Sequence, residues 1–191
     1  MTIDLIRRRV REHRPTELHG EGCQLAAVAI VLRDTPHGPE FVAIHRSDRE
    51  DDPWSGHMAL PGGRQSPLDS DLFATAARET REEIGIDLLQ NSELLGQLDD
   101  LPALGRGRLF SLAVRPFVCV LTAAVVLSPN AHEVQSALWV PLRFLHEPMA
   151  QGVYRHLFDG HELEHRAFVY QGHTIWGLTY RILTNFLDLL R

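Results

Sequence analysis

Apolar positions along the chain form short runs typical of β-strands. The segments 24–32 and 41–45 are rich in β-branched and other apolar residues, and a turn-forming segment at 35–39 separates them. This arrangement predicts two strands joined by a loop. Similar runs predict further strands at 58–60, 92–98, 110–127, 136–141 and 166–171, the strand at 110–127 being bent or broken near Pro116.

Other segments have the spacing of an amphipathic helix. From about Ser70 to Ile84, apolar residues recur on one helical face, and Gly85 follows where a left-handed helix stop is expected. The tail from Ile175 to Leu190 repeats this spacing, and residues 1–20 contain a short arginine-rich surface helix. These elements predict a single domain over 1–191 with an N-terminal helical extension at 1–20. We expect a mixed sheet with helices packed against it.

Composition and charge exclude several classes of function. The chain has 191 residues and a net charge of −6, which argues against non-specific binding to nucleic acid. It contains no lysine, so Schiff-base chemistry, the phosphate-loop lysine and the kinase ATP lysine are excluded. No apolar run reaches the roughly 18 residues of a membrane span, and no signal-peptide core follows the arginines. We therefore expect a cytoplasmic protein without membrane contact, in which Cys23 and Cys119 are small buried residues.

Three glutamates, Glu79, Glu82 and Glu83, lie within one arc of the predicted central helix. Like charges at this spacing each destabilise a helix by about 0.2–0.5 kcal/mol, and Arg78 alone cannot neutralise three carboxylates. A hard divalent cation such as Mg²⁺ or Mn²⁺ would do so. The sequence therefore predicts a metal site on this helix.

The segment before the helix complements this site. Gly62 and Gly63 have no side chains, so their backbone can approach a ligand closely or donate a carbonyl to the metal. Asp69, Ser70 and Asp71 are expected to cap the helix. Together these parts predict binding of a metal-bound polyphosphate next to an activated water.

The order of these residues resembles the Nudix box. That motif has a glycine, five residues, a glutamate, seven residues, and then Arg-Glu-apolar-any-Glu-Glu-any-Gly-apolar. The positions that match it are Gly63, Arg78, Glu79, Glu82, Glu83, Gly85 and Ile86. Three features differ: Asp69 replaces the first glutamate, one extra residue precedes Arg78, and Thr80 replaces an apolar side chain. Asp69 is therefore interpreted as a helix cap and not as a metal ligand.

The resemblance implies an α+β fold of the α/β/α sandwich type, with a mixed sheet between helices. It also implies Mg²⁺- or Mn²⁺-dependent hydrolysis of a small-molecule nucleoside diphosphate linked to another group. By this resemblance Glu79, Glu82 and Glu83 hold metal, Arg78 orients the glutamates, and the backbone of Gly63 contributes to the site. Glu82, Glu83 and Arg78 are the expected catalytic residues, and many members are homodimers.

A second segment resembles the additional motif of coenzyme A pyrophosphatases. Arg46-Ser47 is followed by Gly56 and by Leu60-Pro61-Gly62-Gly63, where that subgroup has Arg-Ser, a second arginine, Gly and Phe-Pro-Gly-Gly. Here Leu60 replaces the phenylalanine, and the second arginine is displaced to Arg49. Segment 175–179 is also similar to that subgroup. The resemblance implies that Arg46, Gly62 and Gly63 bind coenzyme A or a derivative, with ADP-ribose, NADH or another dinucleotide as alternatives.

Several further residues remain open between a functional and a structural role. Glu133 precedes the strand at 136–141 and is either a further acidic residue near the metal or an ordinary polar residue. Arg106 and Arg108 either contact substrate phosphates or belong to a solvated loop at 102–108. The aromatic residues available to stack on a base are Trp54, Phe110 and Trp176.

Two alternatives belong to other functional classes. Residues 161–165 satisfy the zinc-peptidase pattern His-Glu-any-any-His, which requires a helix. The flanking segments are β-like, and a turn at Gly160 predicts a hairpin instead. A non-catalytic Nudix binding module is the other alternative, although such a module would be expected to have lost box glutamates.

Overall fold

The computed structural model describes residues 1–18, 20, 22–48, 56–105, 108–158 and 160–191. The helices in these residues are α1 (Ile3–Glu12), α2 (Leu72–Ile84), α3 (Leu88–Asn91) and α4 (Gly177–Leu189), with 3-10 helices at Leu142–His146 and Pro148–Ala150. The strands are β1 (Gln24–Arg33), β2 (Glu40–Arg46), β3 (Met58–Ala59), β4 (Gly62–Arg64), β5 (Ser92–Gln97), β6 (Leu101–Gly105), β7 (Arg108–Leu121), β8 (Val134–Pro141), β9 (Gln151–Phe158), β10 (His161–Tyr170) and β11 (His173–Trp176).

Strand β1 lies near the middle of the larger sheet. It runs parallel to β7 and antiparallel to β2 and β4, so the sheet is mixed. The main order is β3-β2-β1-β7-β5, with β8 beside β2 and β6 beside β7. Residues on both faces of β1 are buried, as expected for a strand covered on both sides.

Helices cover the two faces of this sheet. Ala27, Ala29 and Val31 of β1 belong to the apolar cluster that includes the inner residues of α2. The alternate residues Ile30 and Leu32 belong to the cluster that includes α1 and α4. This confirms the predicted arrangement of a mixed sheet between helices.

Helix α1 is more than the predicted surface helix. Ile3, Ile6 and Val10 are buried in the larger apolar cluster, while Arg8 on the opposite side is exposed. Glu93 on β5 forms ion pairs with Arg7 and Arg11. The helix is therefore fixed to the sheet by an apolar inner face and an ionic edge.

A second, three-stranded sheet has the order β11-β10-β9. It joins the larger sheet through ring contacts such as that between His45 on β2 and His173 on β11, whose centroids are 5.5 Å apart. Strand β11 leads directly into α4. The second sheet is therefore connected to α4 without an intervening loop.

Four local predictions were wrong. The Gly62-Gly63 turn is part of a strand, β4, and the predicted loop at 102–108 contains strand β6. The strand predicted at 110–127 is β7, which ends at Leu121 and is not broken at Pro116, whose carbonyl accepts a hydrogen bond from the N–H of Leu98. Ile175 lies on β11 and not in the last helix, which begins at Gly177.

The end of α2 and the burial of Cys119 were predicted correctly, and the predicted burial of Cys23 was wrong. Gly85 adopts the predicted left-handed conformation, with φ of 75°, after α2. Cys119 is fully buried, and burial raises the pKa of its thiol to about 12, whereas Cys23 is only half-buried. No helix among these residues combines the length and the apolar character that spanning a membrane requires.

Candidate active site

A cleft of about 560 Å³ lies between the larger sheet and α4. Its lining is charged in one part and apolar in another. Carboxylates and arginines line one part, and aliphatic side chains of β1, β6, β7 and α4 line another. Strand β4 contributes Gly62, Gly63 and Arg64 to the lining.

Strand β4 brings the two glycines close to their neighbours. Gly62 lies opposite Val28 and Gly63 opposite Ala27 on β1. A Cβ on Gly63 would lie 2.5 Å from the carboxylate carbon of Glu79, and a Cβ on Gly62 would clash with the backbone of β1. Gly62 also has a φ of 150°, a conformation that favours glycine. Gly62 therefore requires glycine for packing, whereas a side chain at position 63 would displace the carboxylate of Glu79.

Three carboxylates meet beside these glycines. Oxygens of Glu79, Glu83 and Glu133 lie within 4.8 Å of one another. Glu79 and Glu83 are four residues apart on α2 and therefore share a helix face. Glu133 comes from the turn before β8, and its carbonyl accepts a hydrogen bond from the backbone N–H of Ser47 at the end of β2. We refer to these three residues as the acid cluster.

The acid cluster has the electrostatics of a cation site. Glu83 is 1% exposed, and burial raises its pKa to about 8, an effect that Glu79 and Glu133 reinforce. The Gly62 N–H, 2.9 Å from Glu83 Oε2, and Arg46, whose Nη1 is 3.7 Å from Glu83 Oε1, compensate only in part. Burial also raises the pKa of Glu79. Clustered carboxylate oxygens with unfavourable charge fit a hard divalent cation such as Mg²⁺ or Mn²⁺.

Arg78 is the centre of an ion-pair network that shares Glu79 with the acid cluster. Its Nε and Nη2 donate to the two oxygens of Asp69 at 2.9 and 3.1 Å, and its Nη1 donates to Glu79 at 2.8 Å and to Glu82 at 2.9 Å. Its Nη2 also lies 3.3 Å from the carbonyl of Arg64 on β4. Arg78 thus links α2 to β4 and holds one carboxylate of the acid cluster, consistent with its expected orienting role.

Asp69 has a different role from the predicted helix cap. Asp71 is the N-cap of α2 and accepts a hydrogen bond from the N–H of Ala74. The side chain of Asp69, which is 5% exposed, is instead bonded to Arg78, and these hydrogen bonds hold the pKa of its carboxyl well below the usual range. The N–H of Ser66 donates to it as well. Asp69 therefore anchors Arg78, and its shorter side chain still reaches the guanidinium.

The structure does not bring Glu82 into the acid cluster. The side chain of Glu82 is 51% exposed and pairs with Arg78 on the outer side of α2. The sequence grouped Glu82 with Glu79 and Glu83, but consecutive residues on a helix point about 100° apart. Because Glu83 points inward, Glu82 is directed towards solvent. Glu133, left open by the sequence, occupies the third position of the cluster instead.

The predicted substrate-binding arginines have different outcomes. Arg46 lines the cleft beside the acid cluster, as do Gly62 and Gly63. Arg106 lies outside the described residues, and of Arg108 only the backbone, at the start of β7, is described. Sequence reasoning missed Arg64, an exposed arginine that follows the glycine pair and lines the cleft. Its position after the two glycines was the only available signal.

Of the predicted aromatic candidates, Trp176 lines the cleft. Its ring stacks on Tyr154 with centroids 4.0 Å apart and 18° between the planes, and His57 meets it edge-on at 4.9 Å. Trp54 lies outside the described residues, and the side chain of Phe110 is not described. Trp176 is therefore an aromatic surface at the edge of the cleft.

The His-Glu-any-any-His segment is not helical. Residues 161–165 begin strand β10, where His161 lies opposite Phe158 and His165 opposite Tyr154 on β9. In an extended strand, positions four residues apart are separated by roughly 13 Å, too far for both imidazoles to bind one zinc ion. This excludes the zinc-peptidase interpretation on geometric grounds.

Comparisons with known proteins identify the family of this chain. A NUDIX domain model matches residues 24–159. The chain is 36% identical over 132 residues to the Nudix hydrolase NudL of Photorhabdus laumondii, covering 68% of this chain and 66% of that protein. It is 32% identical over 163 residues to the mitochondrial coenzyme A diphosphatase NUDT8 of Homo sapiens, covering 84% of this chain and 66% of that protein.

A solved structure shows the same fold. The MutT/nudix family protein from Enterococcus faecalis superposes with a TM-score of 0.57 at 15% identity, covering 100% of this chain and 70% of that one. The chain spans only 35% to 66% of the length of the first three curated relatives that it matches.

Proposed function

The chain belongs to the Nudix family, and from this membership we propose that it is a divalent-metal-dependent diphosphatase acting on coenzyme A or a derivative. The observation that carries the proposal is the acid cluster beside Gly62 and Gly63, at the polar part of a cleft large enough for much of a nucleotide. The sequence similarity to a protein named as a coenzyme A diphosphatase supports the choice of substrate.

Glu79, Glu83 and Glu133 are the residues that would hold the metal, with the backbone of Gly63 beside them. Mg²⁺ or Mn²⁺ bound there would neutralise charge on the phosphate oxygens and lower the pKa of a coordinated water. Glu82 is assigned a supporting role, since it pairs with Arg78 on the outer side of α2. Arg78 and Asp69 keep the carboxylate of Glu79 in position.

The proposed reaction is attack of water on one phosphorus of the diphosphate. The bond between that phosphorus and the bridging oxygen breaks, the water oxygen remains on the attacked phosphorus, and a carboxylate of the acid cluster accepts the water proton. With coenzyme A, the products are a phosphopantetheine and adenosine 3′,5′-bisphosphate. Arg46 and Arg64 line the same cleft and can bind the non-bridging oxygens as charge-assisted donors.

A product screen tests this proposal. Purified protein is incubated with Mg²⁺ or Mn²⁺ and, separately, coenzyme A, ADP-ribose, NADH, diadenosine polyphosphates and nucleoside triphosphates, and the products are separated by chromatography. We expect coenzyme A to be cleaved preferentially to adenosine 3′,5′-bisphosphate. Preferential cleavage of ADP-ribose or NADH would overturn the choice of substrate. Hydrolysis of none of them would favour a binding module.

A further inference from the structure

One part of the cleft is lined by aliphatic side chains from four elements. We call this part the aliphatic slot and define it by Ala26, Ala103, Leu112, Val114, Leu178 and Ile182. The four residues on strands β1, β6 and β7 form its floor, and the two residues on α4 form its wall. Ala26 lies opposite Val114 in the parallel pairing of β1 with β7, so both side chains belong to one continuous face.

The backbone of the floor is already paired on both sides at Ala26 and Val114. At Ala26, strand β1 pairs with β7 on one side and with β4 on the other. A nucleobase placed here would lose water from its polar edge atoms without finding partners on the floor, which is unfavourable. A hydrocarbon chain has no such atoms and gains from leaving water. The floor therefore favours an aliphatic group over a base.

Arg64 lies at the boundary between the slot and the glycine pair. It is opposite Ala26 in the antiparallel pairing of β4 with β1, so its side chain leaves the sheet on the same face as that of Ala26. It is exposed, and no ion pair of its guanidinium is found in the described part of the chain. The cleft thus presents the acid cluster, then a cation, and then the aliphatic slot.

We infer that the aliphatic slot binds the aliphatic arm of the substrate, namely the pantetheine arm of coenzyme A and the chain carried on its sulfur, and not its base. This inference rests on the proposed function. The order of groups along the cleft matches a molecule in which a diphosphate continues directly into an extended, weakly polar arm. Leu178 is the specificity-determining residue that is easiest to test, because it is only half-buried.

The first test measures kcat/KM of the native protein for coenzyme A and for its acetyl, butanoyl and octanoyl thioesters. We expect kcat/KM to rise by about twofold or more for each added pair of methylenes until the slot is filled, since each buried methylene is favourable. ADP-ribose, which has no aliphatic arm, is the reference substrate. Equal values along the thioester series would overturn the inference.

The second test uses Leu178→Gln, which keeps the volume of the side chain and adds a polar group. We expect KM for octanoyl-coenzyme A to rise about fivefold or more relative to KM for ADP-ribose, with kcat for octanoyl-coenzyme A within about twofold. The matched control is Leu89→Gln, an exposed leucine on α3 outside the cleft. Ala103→Leu, which fills the floor, should act in the same direction, provided that thermal unfolding shows it to be folded. An equal loss with both substrates would contradict the inference.

Calorimetric binding with Ca²⁺ in place of Mg²⁺ separates the inference from the proposed function. If the native protein hydrolyses coenzyme A but binds octanoyl-coenzyme A no more tightly than coenzyme A, the slot assignment is wrong and the proposed function stands. If it hydrolyses none of these compounds but binds octanoyl-coenzyme A more tightly, and Leu178→Gln removes the difference, the slot assignment stands and the proposed function is wrong.

Discussion

Two neighbouring glutamates on α2 have opposite surroundings. Glu83 is 1% exposed and faces Glu79 and Glu133, and burial raises its pKa to about 8. Glu82 is half-exposed and has Arg78 as its partner. Both residues belong to the same sequence motif. The motif therefore identifies a helix that carries carboxylates. The surroundings of each carboxylate determine whether a protein arginine or a bound metal ion balances its charge.

The same contrast extends to the groups around these two residues. In the acid cluster of Glu79, Glu83 and Glu133, burial raises the pKa of Glu83, and the other two carboxylates add to this effect. Asp69, whose side chain is 5% exposed, has two hydrogen bonds from Arg78 and a strongly lowered pKa. A buried carboxylate with its own arginine stabilises the structure, and a buried carboxylate among other carboxylates indicates a binding site.

The largest expected effect separates Glu83 from Glu82. We expect Glu83→Gln to lower kcat about a thousandfold, because it removes charge at the centre of the acid cluster. Glu82→Gln, the matched control on the same helix, should lower kcat about tenfold or less, because its partner Arg78 keeps Asp69 and Glu79. Steady-state hydrolysis at saturating metal measures both. Equal losses in the two variants would contradict the division of roles.

Gly63→Ala disturbs the acid cluster from the strand side. Its new Cβ would lie 2.5 Å from the Glu79 carboxylate, so the carboxylate has to move, and we expect kcat to fall about a hundredfold. Gly20→Ala is the matched control, since a Cβ there meets only Cys23 Cβ at 3.9 Å. Full activity of Gly63→Ala, with thermal unfolding unchanged, would argue against a catalytic position for Glu79.

A smaller effect is expected at Arg64. Arg64→Gln should raise KM about tenfold with little change in kcat and should weaken the dependence of KM on salt, because one charge-assisted contact to phosphate is lost. Arg64→Lys should recover part of this loss. The control is Arg8→Gln on the exposed side of α1. An unchanged KM in Arg64→Gln would remove this residue from the substrate site.

An effect of a different kind concerns stability without metal. Folding raises the pKa of the Glu83 carboxyl from its ordinary value of 4.5 to about 8. The folded state therefore binds the proton more tightly, and Glu83 costs stability progressively as the pH rises from about 4.5 to about 8. In EDTA at pH 8, Glu83→Gln should be more stable than the native protein by on the order of 2 kcal/mol, and the difference should shrink at pH 5.

Thermal or urea unfolding at the two pH values measures this difference. Glu82→Gln serves as the control, since its carboxylate is half-exposed and paired. A Glu83→Gln variant that is less stable than the native protein at pH 8 would show that Arg46 and the Gly62 N–H neutralise this carboxylate after all.

Much of the fold and part of the site could be predicted from the sequence, because the relative positions of residues within helix α2 depend only on their spacing along the chain. The spacing of Glu79 and Glu83 and the position of Gly85 depend only on the helical period. The inward direction of Glu83, in contrast, depends on how α2 packs on β1. The sequence could not separate Glu83 from Glu82 for this reason.

The remaining parts of the site depend on strand pairing. Glu133 reaches the acid cluster because β8 pairs with β2, about 90 residues earlier in the chain. Arg64 faces the cleft because β4 pairs with β1, although Gly62-Gly63 is typical of a turn. The position of Glu133 just before the predicted strand at 136–141 was the only local indication that it belongs to the site. Long-range register of this kind is not encoded in short patterns.

The most direct test of the account is a calorimetric titration of the native protein, Glu83→Gln and Glu82→Gln with Mn²⁺ alone. We predict that the native protein binds Mn²⁺, that Glu82→Gln binds it within about threefold of the native affinity, and that Glu83→Gln loses about a hundredfold or more in affinity. Equal affinity of the native protein and Glu83→Gln would contradict the central claim that the acid cluster is the metal site.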